Sequence, residues 1–216
     1  MIRFLKTLIP ILLVVIIFGC NGKSKNVESA EATQKEMVEP SGESANEDEV
    51  YHRYLSLHNI GFDIRTTGKG SIRQLNVQPQ GLSIDNRIFS MEIDGSIVDA
   101  EIDDLNNDGY PEVLIYTQSA GSGSYGNVIG FSVNNGKSMS QIAFPNIADN
   151  PRANTGYMGH DKFAIIEKRL VQRFPIYKQG DTNSNPTGKI REIHYQLTDG
   201  EASRVFKIKS ITEHDR

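Results

Sequence analysis

The sequence predicts an all-β fold for residues 51–216, a single antiparallel β-sandwich of about eight to ten strands. From residue 54 onward short apolar stretches alternate with polar residues, and no window shows the 3.6-residue period of an amphipathic helix. Turn-forming pairs separate these stretches, as hairpins require, for example Asp94-Gly95, Asn135-Gly136 and Asp199-Gly200. Strands at this spacing with no helices between them are typical of a sandwich or barrel.

The predicted strands follow one another along the chain and are separated mostly by turn-forming residues. The first alternating stretch, 55–64, ends at a turn in residues 67–70. The later stretches are 72–77, 82–84, 97–102, 113–117, 128–133, 163–167, 170–177, 190–197 and 205–211.

Residues 1–19 have the composition of an export signal. Arg3 and Lys6 precede an apolar run that is shorter than the roughly 20 residues of a membrane-spanning helix. Cys20, the only cysteine, follows directly, and residues 17–20 resemble the lipobox of bacterial lipoproteins. We therefore predict a lipoprotein signal peptide and lipidation of Cys20, with the anchor in the outer membrane of a Gram-negative envelope. The domain would lie in the periplasm or at the cell surface. The alternative is a soluble exported protein whose Cys20 happens to lie near the cleavage site.

Residues 20–50 are predicted to form a disordered, lipidated tether. From residue 21 to 50 there are 8 acidic and 3 basic side chains and few apolar ones. Such a segment cannot bury enough surface to offset the entropy lost on ordering. An acidic interaction tail is the alternative to a solvated spacer.

An acidic turn is the first candidate site. Asp104, Asn106 and Asp108 are spaced as oxygen ligands at positions 1, 3 and 5 of a loop that wraps a hard cation such as calcium. Position 12 is Ile115, which excludes an EF-hand. No cofactor is required by the sequence, and a structural Ca²⁺ is the candidate; a turn without an ion is the alternative. Its predicted ligands are Asp104, Asn106, Asp108, Tyr110 and Glu112.

Several functional classes are excluded by composition and spacing. The net charge of −4 provides no basic surface for nucleic acid, and one cysteine allows no disulfide scaffold. Residues 121–126 match G-x-G-x-x-G, but a strand follows them where a nucleotide site needs a helix. Ser122 and Ser124 do not occupy the centre of G-x-S-x-G, so no enzyme is predicted. No paired spacing suited to zinc occurs among the histidines, His52, His58, His160, His194 and His214.

The same glycine–serine segment has the composition of a binding loop. Its glycines permit close backbone approach to a partner, and its hydroxyls donate hydrogen bonds at little desolvation cost. Tyrosine adds a stiff, large contact surface of the kind that dominates binding energy. A flexible hairpin loop with a core tyrosine is an equally good interpretation of these residues alone. The candidate residues are Ser119, Gly121, Ser122, Gly123, Ser124, Tyr125 and Gly126.

An ordered set of segments between residues 54 and 212 resembles the periplasmic inhibitors of I-type (invertebrate-type) lysozyme. The segments are 81–86, 100–112, 119–126, 159–163, 170–177, 180–183, 186–188 and 195–197. The resemblance implies a β-sandwich that inserts the loop into the lysozyme cleft, with Ser122 and Tyr125 on the family's S-G-x-x-Y motif. Members are usually soluble, so the predicted lipid anchor departs from the family.

The resemblance thus implies a proteinaceous inhibitor whose partner is I-type lysozyme. A calcium-stabilised carbohydrate- or peptidoglycan-binding module, stacking sugars on Tyr110 and Tyr125, is the alternative. The sequence leaves open whether the domain forms a homodimer.

Overall fold

Residues 49–216 are described by a computed structural model, and in them the alternating stretches and glycine turns form twelve β-strands. The predicted signal peptide, Cys20 and almost all of the predicted tether lie outside the described residues. The first strand begins at Glu49, two residues before the domain start that the sequence predicts. Within residues 49–216 no helix is long and apolar enough to cross a membrane.

The strands form three antiparallel sheets of four, and each sheet pairs strands that are consecutive along the chain. The first sheet contains β1 (Glu49–Leu57), β2 (Ile60–Thr67), β3 (Ile72–Gln80) and β4 (Phe89–Asp94). The second contains β5 (Ser96–Asp103), β6 (Glu112–Gln118), β7 (Gly126–Asn134) and β8 (Ser138–Ile142). The third contains β9 (Lys162–Ile166), β10 (Arg169–Pro175), β11 (Ile190–Asp199) and β12 (Arg204–His214). A 3₁₀ turn (Ile147–Asp149) and one helical turn, α1 (Pro151–Asn154), lie between β8 and β9.

The predicted all-β class is confirmed, with more strands than the sequence pattern indicates. The first alternating stretch is two strands, because His58 and Asn59 both take positive φ and form the hairpin turn between β1 and β2. The predicted strand at 82–84 is a loop whose amides bond to the carbonyls of Gly136 and Lys137. β4 and β8, which the pattern did not reveal, complete the first and second sheets.

The second sheet is buried on both faces, which explains why there are three sheets. Along β6, Val113 and Ile115 pack into a core with the first sheet, whereas Leu114 and Tyr116 pack into a core with the third. All four side chains are at most 1% exposed. Two apolar cores therefore share one central sheet.

Both candidate sites flank β6. The acidic turn joins β5 to β6, and the glycine–serine loop joins β6 to β7. The two lie at opposite ends of this strand, on the order of 20 Å apart at about 3.3 Å per residue.

Candidate functional site

The glycine–serine segment forms a closed hairpin loop. Gln118 pairs with Gly126 at its base, and the Ser119 amide donates to the Tyr125 carbonyl at 2.9 Å. The Ser119 hydroxyl accepts from the Tyr125 amide at 3.0 Å, and the Ser124 amide closes a tight turn on the Gly121 carbonyl at 2.9 Å. These bonds make the loop a defined structure and argue against a loose Gly/Ser linker.

The loop presents two polar side chains outward. Ser122 is exposed, and the Tyr125 side chain is 48% exposed. The Tyr125 ring rests against Gly123 on one side and meets the Tyr157 ring edge-on, with ring centroids 5.7 Å apart. Within residues 49–216 neither the Ser122 nor the Tyr125 hydroxyl has a hydrogen-bond partner. Both remain able to bond to another molecule.

Neighbouring segments hold the carbonyl side of the loop. The His160 amide donates to the carbonyls of Gly123 and Ser124 at 2.9 and 3.2 Å, and the Asn183 side-chain amide donates to the Ser122 carbonyl. Gly159 has a φ of +86°, and a Cβ there would collide with the Gly123 carbonyl oxygen. A glycine is therefore required where this segment approaches the loop.

Asp161 ties the base of the loop to the third sheet. Its Oδ2 accepts from the Gly126 amide at 2.8 Å and from the Tyr157 hydroxyl at 2.6 Å. Its Oδ1 accepts from the Gln172 side-chain amide at 2.6 Å. Burial raises the pKa of Asp161, and the hydrogen bonds from Tyr157, Gly126 and Gln172 oppose that shift.

The acidic turn at 104–112 is held by its own backbone amides. Asp104 accepts from the amides of Asp108 and Gly109, both at 3.1 Å, and Asp108 accepts from the Tyr110 amide at 2.9 Å. Asn106 accepts from the Asp108 amide at 3.1 Å. These are the bonds of an Asx-rich turn.

Arg204 brings a positive charge from β12 to this turn. Its guanidinium donates to Asp108 Oδ2 at 2.6 Å and lies 4.0 Å from Glu112 Oε1. Glu112 is fully buried and accepts from the Leu105 amide at 2.8 Å and the Ser132 hydroxyl at 2.7 Å. Burial raises the pKa of Glu112 to about 7, and the hydrogen bonds and Arg204 oppose the shift.

Four of the five predicted calcium ligands, all except Tyr110, thus have side-chain oxygens that accept hydrogen bonds from protein donors. Within residues 49–216 no group of three or more histidine, cysteine, aspartate and glutamate side chains is arranged to hold a metal ion. Calcium binding stays a prediction, and Arg204 supplies positive charge at the place where an ion would act.

The structure separates the two aromatic residues that the carbohydrate-binding alternative needs together. Tyr110 is half-buried against Gly136 and the core between the first and second sheets. Tyr125 lies at the other end of β6, so no common sugar-stacking surface contains both.

The fold and the loop define an all-β protein that presents a short, uncharged and hydrogen-bonded hairpin loop as its candidate binding surface. Residues 66–153 match the family model described as periplasmic lysozyme inhibitor of I-type lysozyme. The family resemblance predicted from the sequence is confirmed over this segment, which runs from β2 to α1 and contains the whole loop. No match was found among curated proteins or among solved structures.

This match supports lysozyme inhibition as the function and I-type lysozyme as the partner. The family's description names an inhibitor. The family's description suggests the periplasm as its location.

Residue-by-residue reasoning from the sequence assigned no role to the residues that hold the loop. Tyr157, His160, Asp161 and Asn183 all lie beyond the matched segment. Their residue types give no local signal, since each reaches the loop through tertiary contacts.

Proposed function

We propose that the protein inhibits I-type lysozyme by inserting residues 119–126 into the active-site cleft of the enzyme. The family match supports the target, and the exposed, unpartnered hydroxyls of Ser122 and Tyr125 support the loop as the inserted part. The observation that carries the proposal is that the loop lies within the matched segment and forms a closed hairpin in which the Ser122 and Tyr125 side chains are exposed.

The chemistry of the loop suits a lysozyme cleft. Such a cleft contains two catalytic carboxyl groups in a groove shaped for sugar rings. Ser122 would donate its hydroxyl proton to one of these carboxyl groups, and Tyr125 would fill an adjoining saccharide subsite. Because the loop carries no charged side chain, its entry desolvates no charged group of the inhibitor. Inhibition is then occlusion of the cleft, with no bond made or broken.

We further propose that Cys20 is lipidated and that residues 20–50 form the tether of an envelope lipoprotein. The anchor would concentrate the inhibitor at the membrane surface, next to the peptidoglycan that a lysozyme attacks. Acyl chains supply the apolar area needed for such attachment. Radiolabelled palmitate incorporated into wild type and absent from Cys20→Ser would support this arrangement.

The loop mechanism is tested by the double variant Ser122→Ala with Tyr125→Ala. We expect the inhibition constant against an I-type lysozyme to rise more than about ten-fold, because the variant lacks both side chains that would be buried against the enzyme in the complex. The double variant Tyr54→Ala with Ser210→Ala changes exposed residues on other strands and is expected to inhibit like wild type. Circular dichroism spectra should be the same for all three proteins.

Unchanged inhibition by the loop variant would contradict the mechanism. Binding of wild-type protein to peptidoglycan fragments, with no inhibition of the enzyme, would instead favour a carbohydrate-binding module.

A further inference from the structure

Asp161 is a buried carboxylate without a cationic partner. It is 8% exposed, and within residues 49–216 it forms no ion pair. A buried charge is tolerated only when hydrogen bonds replace its lost hydration. Three groups donate hydrogen bonds to the Asp161 carboxylate. One is the backbone amide of Gly126 in the loop, and another is the hydroxyl of Tyr157, whose ring supports the Tyr125 ring.

We propose that Asp161 is a positioning residue that holds the loop in the conformation required for insertion into lysozyme. This inference rests on the proposed function for its consequence, and on the contacts of Asp161 for its structural part. Asp161 lies outside the segment that matches the family, so the match itself assigns it nothing.

One carboxylate oxygen fixes both the backbone and the aromatic support of the loop. Through the Gly126 amide, Oδ2 sets where the loop rejoins β7. Through the Tyr157 hydroxyl, the same oxygen orients the ring against which Tyr125 packs. Loss of this single acceptor would release both contacts together.

The opposite side of Asp161 is connected to a rigid part of the molecule. Gln172 donates to Oδ1, and the Tyr195 hydroxyl donates to Gln172 Oε1 at 2.5 Å. Gln172 and Tyr195 are 2% and 0% exposed and lie on β10 and β11. The loop is thereby attached to the core of the third sheet, so less conformational entropy remains to be lost when it binds.

An amide in place of the carboxylate tests this role. In the variant Asp161→Asn an NH2 donor replaces one of the two acceptor oxygens, so it faces either the Gln172 amide or the Gly126 amide and Tyr157 hydroxyl. In either orientation the hydrogen-bonded link between the loop and the third sheet is broken. We expect hydrogen exchange of the Gly126 amide to become at least about ten-fold faster, and the inhibition constant to rise about ten-fold.

A matched control is provided by Glu112→Gln, measured in chelator. It makes the same carboxyl-to-amide change at a fully buried site, at the end of β6 away from the loop. It should leave both the exchange of the Gly126 amide and the inhibition constant unchanged. An equal effect of both substitutions would show general destabilisation and overturn the positioning role.

Tyr157→Phe covers the case in which Asp161→Asn fails to fold. It keeps the ring against Tyr125 and removes only the hydroxyl that Asp161 accepts, so a smaller rise in both readouts is expected. Wild-type exchange and inhibition in every variant that folds would overturn the proposal. Suppose that Gly126 exchanges faster in Asp161→Asn, but that neither this variant nor the Ser122/Tyr125 variant loses inhibition. The contact of Asp161 with the loop would then be confirmed and the proposed function refuted. If only the Ser122/Tyr125 variant lost inhibition, the function would stand and Asp161 would have no part in it.

Discussion

Two buried carboxyl groups show how strongly a side chain's role depends on its neighbours. Asp161 is held by neutral donors from the base of the glycine–serine loop, from Tyr157 and from the third sheet. Glu112 is held by an amide, a hydroxyl and the nearby charge of Arg204. Burial raises the pKa of both groups, because transfer from water disfavours the charged form.

Glu112 predicts a pH dependence of stability. Its pKa is about 7 in the folded protein against an ordinary value of 4.5, so folding favours the protonated form. The contribution is fully present below pH 4.5 and is lost as pH rises through 7. From 1.36 kcal/mol per pKa unit, the free energy of unfolding should fall by about 3 kcal/mol from this group.

The measurement compares urea unfolding of wild type and Glu112→Gln at pH 4.5 and pH 8.5. The difference in unfolding free energy between the two proteins should shift by about 3 kcal/mol in favour of the variant at the higher pH. A difference independent of pH would mean that Arg204 keeps Glu112 ionised throughout.

The two loops that flank β6 use different means to become rigid. The loop at 119–126 is fixed by amides from later segments, which leave its side chains free to meet a partner. The turn at 104–112 is fixed by its own amides and by Arg204, which leaves its carboxylates engaged. Loop conformation in both cases depends on groups that lie far away in the sequence.

Calcium binding at the acidic turn is tested by thermal unfolding. We expect the Tm of wild type to be a few degrees higher in millimolar calcium than in chelator, since an ion that binds only the folded state stabilises it. The increase should be larger in Arg204→Met, because the guanidinium and the ion would compete for Asp108 and Glu112. Arg173→Met, which removes a half-exposed arginine paired with Glu192, is the matched control and should respond like wild type. A Tm insensitive to calcium in all three proteins would contradict calcium binding at this turn.

At the scale of the whole molecule, the central sheet joins two apolar cores. Consecutive residues of β6 point into different cores, and both cores contain large side chains that are fully buried. A strand buried on both faces has an uninterrupted apolar sequence, as Val113–Tyr116 does. The two cores should therefore unfold together.

Adjacent substitutions test this coupling. Leu114→Ala and Ile115→Ala should each lower the free energy of unfolding by about 2–5 kcal/mol, because each leaves a cavity in a different core. Denaturant unfolding should remain a single transition in both variants, whether followed by tyrosine fluorescence or by circular dichroism. Ile84→Ala, at a side chain that is 74% exposed, should change stability by less than about 0.5 kcal/mol. Two separated transitions in either core variant would contradict the prediction that the two cores unfold together.

The sequence by itself determined the all-β class, most strand positions, the position of the glycine–serine loop and the family resemblance. These features are local, since alternation, turn residues and a short motif are written in neighbouring positions. The tertiary structure decided that the first alternating stretch forms two strands, that three sheets form two cores, and which side chains secure the loops. Arg204 reaches Asp108 across 96 positions, and Asp161 reaches Gly126 across 35. No local pattern encodes such contacts, because they arise only when the sheets pack and bring distant segments together.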